Sequence, residues 1–256
     1  MSLTMMALRI AAVQALKAGG TLVGENVLDS QISAIDQTTN GQLRSDQQKP
    51  FIAVYTDAAR AQDLSQTGLR TNGRVEIVFN CGVALTMAQT NKNTGAAEII
   101  EGFPATDANF EAILDVLEVQ IGRTLTDPDN AWSQVFAGFI KGYVSKDHVR
   151  SSSAAENVRL AAGQTKLTVD VFADPIQDQA LSETGPWRRF LALLSDQDAA
   201  KAERFSALLG QPGASLYPAF ERLMGMASSD ARALKLYSFD GLPLDLSVTG
   251  VTLDGA

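Results

Sequence analysis

Apolar and polar side chains alternate from Arg74 to Leu85. Val75, Ile77, Phe79, Cys81, Val83 and Leu85 share one parity; Glu76, Asn80, Gly82 and Ala84 share the other, with Val78 the exception. Successive side chains of a strand leave on opposite faces, so this stretch predicts a strand with one face on a core and one mildly polar face. Its length places it centrally in its sheet. Leu22 to Asp29 predicts an entry strand. Pro50 to Thr56 predicts another, with Pro50 at its start, where no ladder donor is needed. Lys166 to Phe172 predicts a last strand, Leu167, Val169 and Val171 alternating against Lys166, Thr168 and Asp170.

A second periodicity marks the helices. Leu3, Met6, Ile10, Val13 and Leu16 recur at helical spacing over residues 3–18, and Gly19-Gly20 ends the run. From 107 to 123, Phe110, Ile113, Leu114, Leu117 and Ile121 form a stripe, with Thr106 or Asp107 as cap and Glu111, Asp115 and Glu118 as the wet face. Asp127-Pro128-Asp129-Asn130 breaks this helix and starts another, in which Trp132, Val135, Phe136, Phe139 and Tyr143 share a side; Ser151 to Ser153 reads as a loop. The expected fold is α+β: an antiparallel or mixed sheet of at least four strands, with the helices at 3–18 and 107–123 on one face.

Three polar stretches interrupt the sheet: 30–49 (a long loop or a ragged hairpin), 57–73 and 86–98. Loops this long are commonly functional, or ordered only by a partner. Asp174-Pro175 closes a body of residues 1–175. Residues 176–256 predict a mostly helical appendage, with short patterns at 187–194, 198–209 and 216–224 and a further strand pattern from Leu242 to Leu253.

Composition narrows the classes of function. The 256 residues are 45% hydrophobic and 20% charged, ample for a core, and the net charge is −8. No basic cluster of the kind that grips nucleic acid is present, nor a run of the ~18 apolar residues that a membrane helix needs. Arg9 and Lys17 interrupt the N-terminal apolar run, which does not read as a signal peptide. The lone cysteine, Cys81, reads as a buried small hydrophobe.

Candidate chemistry is sparse. The single histidine, His148, lies in the charged run Lys146-Asp147-His148-Val149-Arg150 and reads as a solvated surface-turn residue. One histidine and one cysteine do not build a zinc site. Asp127 and Asp129 begin like a calcium loop, but Ala131 stands at the third ligand position, which leaves helix punctuation. Gly213-Ala214-Ser215-Leu216-Tyr217 lacks the last glycine of a nucleophile elbow. Glu111, Asp115 and Glu118 read as a hydrated face before an acid-base pair. Trp187 anchors the appendage on the body or on a partner, with the two weighted evenly. No catalytic, cofactor-binding or metal site is expected.

The order of elements resembles the tail terminator (tail-completion) proteins of tailed bacteriophages. Thr21 to Ser30, Pro50 to Asp57, Arg74 to Leu85 and Asn109 to Arg123 resemble that family's entry strand, its proline-apolar-tyrosine-threonine-aspartate strand, its central strand and its long helix. Val158 to Ala162 followed by Leu167 to Val169 resembles its final strand. The likeness spans residues 3–175; the insertion from Thr124 to Ser153 and the appendage depart from the short members and suit a larger tail. The resemblance implies a non-enzymatic virion protein, assembled in the host cytoplasm as a hexameric ring. That ring would cap the tail tube protein, end its polymerisation, and meet the neck or head-completion protein and any tail sheath. Genomic DNA would pass through its lumen without specific binding, and no membrane is involved. The alternatives are another head–tail connector or tail structural protein and, from a different class, a cytoplasmic enzyme.

Overall fold

The computed structural model describes residues 2–31, 34–37, 43–45, 47–62, 70–92, 95, 97–100, 103–155, 158–176 and 180–210. The fold is α+β, with five α-helices among these residues and a mixed five-stranded sheet. Helix α1 (Leu3–Ala18) is followed by β1 (Val27–Asp29), a small hairpin of β2 (Asp36–Gln37) and β3 (Leu43–Arg44), and the long strands β4 (Phe51–Arg60) and β5 (Arg74–Ala84). Then come the short strands β6 (Gln89–Thr90), β7 (Ala97–Ile100) and β8 (Phe103–Pro104), which form a three-stranded antiparallel sheet. Helices α2 (Asp107–Leu125) and α3 (Ala131–Gly138) lead into a long hairpin of β9 (Ile140–Ala155) and β10 (Val158–Val171). Helices α4 (Pro186–Gln197) and α5 (Ala199–Leu208) finish the described chain.

The main sheet runs in the order β1-β4-β5-β10-β9, with β1 parallel to β4 and the other pairs antiparallel. The alternating stretch is thus the middle strand, and Val75, Ile77, Phe79, Cys81 and Val83 are all buried on one face. Helix α1 covers β1 and β4 there, and α2 covers β5 and β10. The opposite face is less uniform than its polar parity suggests. At one end Phe51, Ala53, Ala84, Leu160 and Ala162 form a second cluster with Ala34 and Met87. Phe51 lies across Gly82, where a Cβ would fall 2.5 Å from its ring, so this crossing needs glycine. The rest of that face is a polar ladder: Asn80 Nδ2 donates to Tyr55 Oη at 3.2 Å, Gln164 Nε2 to Asn80 Oδ1 at 3.0 Å and Lys166 Nζ to Glu76 Oε2 at 3.3 Å.

Helix α1 is more buried than its stripe predicts. Ala7, Ala11, Ala12 and Ala15 are buried along with Leu8, Ile10, Val13 and Leu16, because α3 packs against α1 as well as the sheet. Small side chains permit that close approach. The Asp174 carboxylate accepts from Leu3 N and Thr4 N at 3.1 and 3.0 Å, so the residue that closes the body also caps α1. At the corner between α2 and α3, Asn130 caps α3 and its Nδ2 donates to Ala15 O at 2.9 Å.

Several expectations need correction. The entry strand is only Val27–Asp29, with turns over the preceding residues. The second helix ends at Gly138, and Tyr143 belongs to β9, opposite Val169. The spacing of four between Phe139 and Tyr143 suits both a helix and a strand, and pairing with β10 decides for the strand. Ser151 to Ser153 also continue β9 and are not a loop. The polar stretch 86–98 carries β6 and the start of β7, and 30–49 contains the two-stranded hairpin. The patterns at 216–224 and Leu242 to Leu253 lie outside the described residues.

Candidate functional site

Strand β9 brings together residues that the sequence reading had separated. It is 16 residues long and forms one edge of the sheet. Through the pairs Lys146–Leu167, His148–Thr165 and Arg150–Gly163, its even-numbered side chains fall on the face covered by α2. There they meet the carboxylates read as a hydrated helix face. Lys146 Nζ lies 2.9 Å from Glu118 Oε1, and Arg150 Nη1 lies 2.6 Å from Glu111 Oε2 while its Nη2 binds Asp115. A period of two on the strand matches a period of 3.6 on the helix, so an acidic row closes on a basic one. Lys146 and the nearby positive charges hold the Glu118 carboxyl below the usual carboxylate range, against its partial burial. The Asp115 carboxylate, followed by Glu111, raises the pKa of Arg150 further above its ordinary value.

His148 is exposed, as expected, but it lies on a strand and not in a turn. Its Nδ1 lies 3.0 Å from the buried Thr165 hydroxyl, Arg150 Nε donates to its Nε2 at 3.2 Å, and Glu118 Oε2 is 3.4 Å away. It is one member of a cross-braced set in which the Thr165 hydroxyl is buried. The signal that would have placed it was present: Lys146, His148 and Arg150 are spaced i, i+2, i+4, a strand pattern inside an apparently featureless charged run.

The other candidates resolve into structural roles. Asp127 Oδ1 accepts from Asp129 N at 2.9 Å and Asn130 Oδ1 from Trp132 N at 3.0 Å, so this run is a capping turn. Cys81 is buried, and burial, with a smaller effect of Glu118, pushes its thiol up to about 12, far from a reactive thiolate. Trp187 anchors helix α4 on the body: its ring meets Phe139 edge-on at 5.0 Å and Phe190 at 5.8 Å. The stretch Gly213 to Tyr217 lies outside the described residues. Among the described residues no group of three or more His, Cys, Asp or Glu side chains is placed to hold a metal ion, and no helix is long and apolar enough to cross a membrane.

Two features of the β9 region have no partner among the described residues. The first is the outer backbone edge of β9, where Tyr143, Val144 and Val149 are exposed. The second is an apolar cavity of about 240 Å³ beside it, lined by Ile121 and Leu125 of α2, Phe136 of α3, Tyr143 of β9, Leu167 of β10 and Phe79 of β5. An unpaired strand edge beside an apolar cavity can accept extended polypeptide, with backbone groups supplying hydrogen bonds and the cavity selecting a side chain. No protein-family model matches the chain, and no curated protein matches it.

Proposed function

We propose that this chain is a structural protein of a phage tail. Six copies form a ring that caps the head-proximal end of the tail tube, ends its polymerisation and joins the tail to the neck. The observation that carries this reading is the edge of β9. A long strand edge left open is an aggregation hazard in a free monomer, and closing a ring of copies removes it. The order of strands and helices that resembles the tail terminators supports the same reading. So does the charge: six copies carry 6 × (−8) = −48, and an acidic lumen lets DNA phosphates pass without adhesion. Tail tube, neck protein and any sheath are the partners, and catalysis has no part in this role. The parts of the polar segments 30–49, 57–73 and 86–98 outside the strands are read as contact segments, since ordering each backbone residue costs about 1–2 kcal/mol that neighbours offset.

The test is made on particles. A hexamer has a mass of 6 × 27.3 = 163.8 kDa, and that species is expected at the head-proximal tail end, with monomer or weak oligomer in dilute solution. Deleting residues 64–69, which keeps Arg70 and its hydrogen bonds with Asp174, should leave the circular dichroism spectrum unchanged while tails become abnormal in length or fail to join heads. Tails of normal length that join heads would remove this loop from the interface. A particle map without the protein at that end would remove the terminator reading, and its density elsewhere in the neck or tail would favour another connector role.

A further inference from the structure

We infer that the outer edge of β9 receives residues 242–249 of the neighbouring copy as an added strand. This rests on the ring reading and names the contact that closes it. The receptor is a 16-residue strand whose outer edge is unpaired among the described residues, next to an apolar cavity lined by Tyr143, Ile121 and Leu125. The donor side is in the sequence. Beyond Gly210 the chain has 256 − 210 = 46 further residues. Within them Leu242, Leu244, Leu246 and Val248 alternate with Pro243, Asp245, Ser247 and Thr249, an alternation of the kind seen in the central strand.

Strand geometry makes this pattern specific. Residues of one parity turn their side chains to one face and their backbone groups to one neighbour; residues of the other parity do the reverse on both counts. With Leu244 and Leu246 bonded to β9, their side chains share the face that carries the cavity. Pro243 then points outward, where its missing N–H costs nothing and where proline stops further strand addition. One added strand would satisfy the edge and leave a blunt one.

The adjoining copy is the donor because the ring reading sets a second subunit against this edge. The 31 residues from 211 to 241 reach up to about 100 Å when extended, enough to cross from one subunit to the next.

The test uses paired cysteines in the full chain. Ser145, Asp147 and Val149 lie on the open face of β9, and Ser247 has the parity that faces them across an added strand. Opposed residues in adjacent antiparallel strands have Cα atoms about 4.5–5.5 Å apart, within reach of a disulfide. Ser247→Cys is combined in turn with Ser145→Cys, Asp147→Cys and Val149→Cys, and assembled tails are oxidised. At least one register should give a covalent ladder extending to six chains on a non-reducing gel. A cross-linked species confined to one chain overturns the proposal by making the donor the same subunit, and no cross-link in any register overturns it as well. Removal of residues 238–256 should abolish the ring at tail ends. A ring that survives this truncation sinks the strand exchange while the terminator reading stands. Wild-type protein that is absent from tail ends and monomeric at every concentration sinks both.

Discussion

Phe190→Ala is the substitution that reads most directly how helices α4 and α5 belong to the protein. Phe190 is fully buried and touches four rings: Trp132 at 6.1 Å, Phe139 at 6.1 Å, Trp187 at 5.8 Å and Phe205 at 5.1 Å, all edge-on. Trp132 lies in α3, Phe139 caps it, Trp187 lies in α4 and Phe205 in α5, so one ring joins three helices. Truncating a buried phenylalanine costs about 3–5 kcal/mol through lost transfer energy and the cavity left behind. Loss of the edge-on contacts puts this site in the upper part of that range. For a chain of this size roughly 4–5 kcal/mol corresponds to about 8–20 °C in Tm. The assay has a built-in reporter: the chain has two tryptophans, and both lie in this cluster. Fluorescence therefore follows the junction, and circular dichroism follows the sheet and helices together. If α4 and α5 share the body's core, as their membership of the main hydrophobic cluster indicates, the two urea transitions coincide in wild type and shift together in Phe190→Ala. A variant in which fluorescence shifts early while the circular dichroism transition stays in place would refute this and make α4 and α5 an independently melting appendage.

Other perturbations follow from the sheet and its braces. Phe79→Asp places an unpaired charge on the inward face of β5, where Phe79 is 1% exposed; the cost is several kcal/mol, and a wild-type melting curve would show that the inward parity is wrong. His148→Ala leaves the buried Thr165 hydroxyl without its described side-chain partner, so about 1–3 kcal/mol of stability should be lost by chemical denaturation while tail assembly is retained; lost particle formation would contradict this. Glu118 has a folded-state pKa below its ordinary 4.5, so its stabilising contribution is complete above that value and disappears as the pH falls through the lowered one. Glu118→Gln should accordingly lower stability at neutral pH and flatten the acid limb of a stability–pH profile; an unchanged limb would mean that the Lys146 contact contributes nothing.

The α+β class, the central position of Arg74 to Leu85, its inward parity and the helices at 3–18 and 107–123 were legible from periodicity, within two residues at their ends. That is because a period of two and a period of 3.6 each impose one apolar face over a long run. A cap at Thr106 or Asp107 was legible too, since capping is local, and the structure gives the role to Thr106, whose side chain accepts from Asn109 N. Only the tertiary structure decided the stretch from Gly138 to Ala155. Phe139 to Tyr143 is ambiguous between periods, and Lys146 to Arg150 is polar at every position but Val149, which hides a strand from any hydrophobic pattern. Pairing with β10 makes it a strand, and the α2 carboxylates neutralise the cations that this pairing turns inward. The same holds for α1, whose alanines read as filler until α3 packs on them. The open edge of β9 and the cavity beside it exist only once helix and hairpin are juxtaposed, and no local run of residues encodes either.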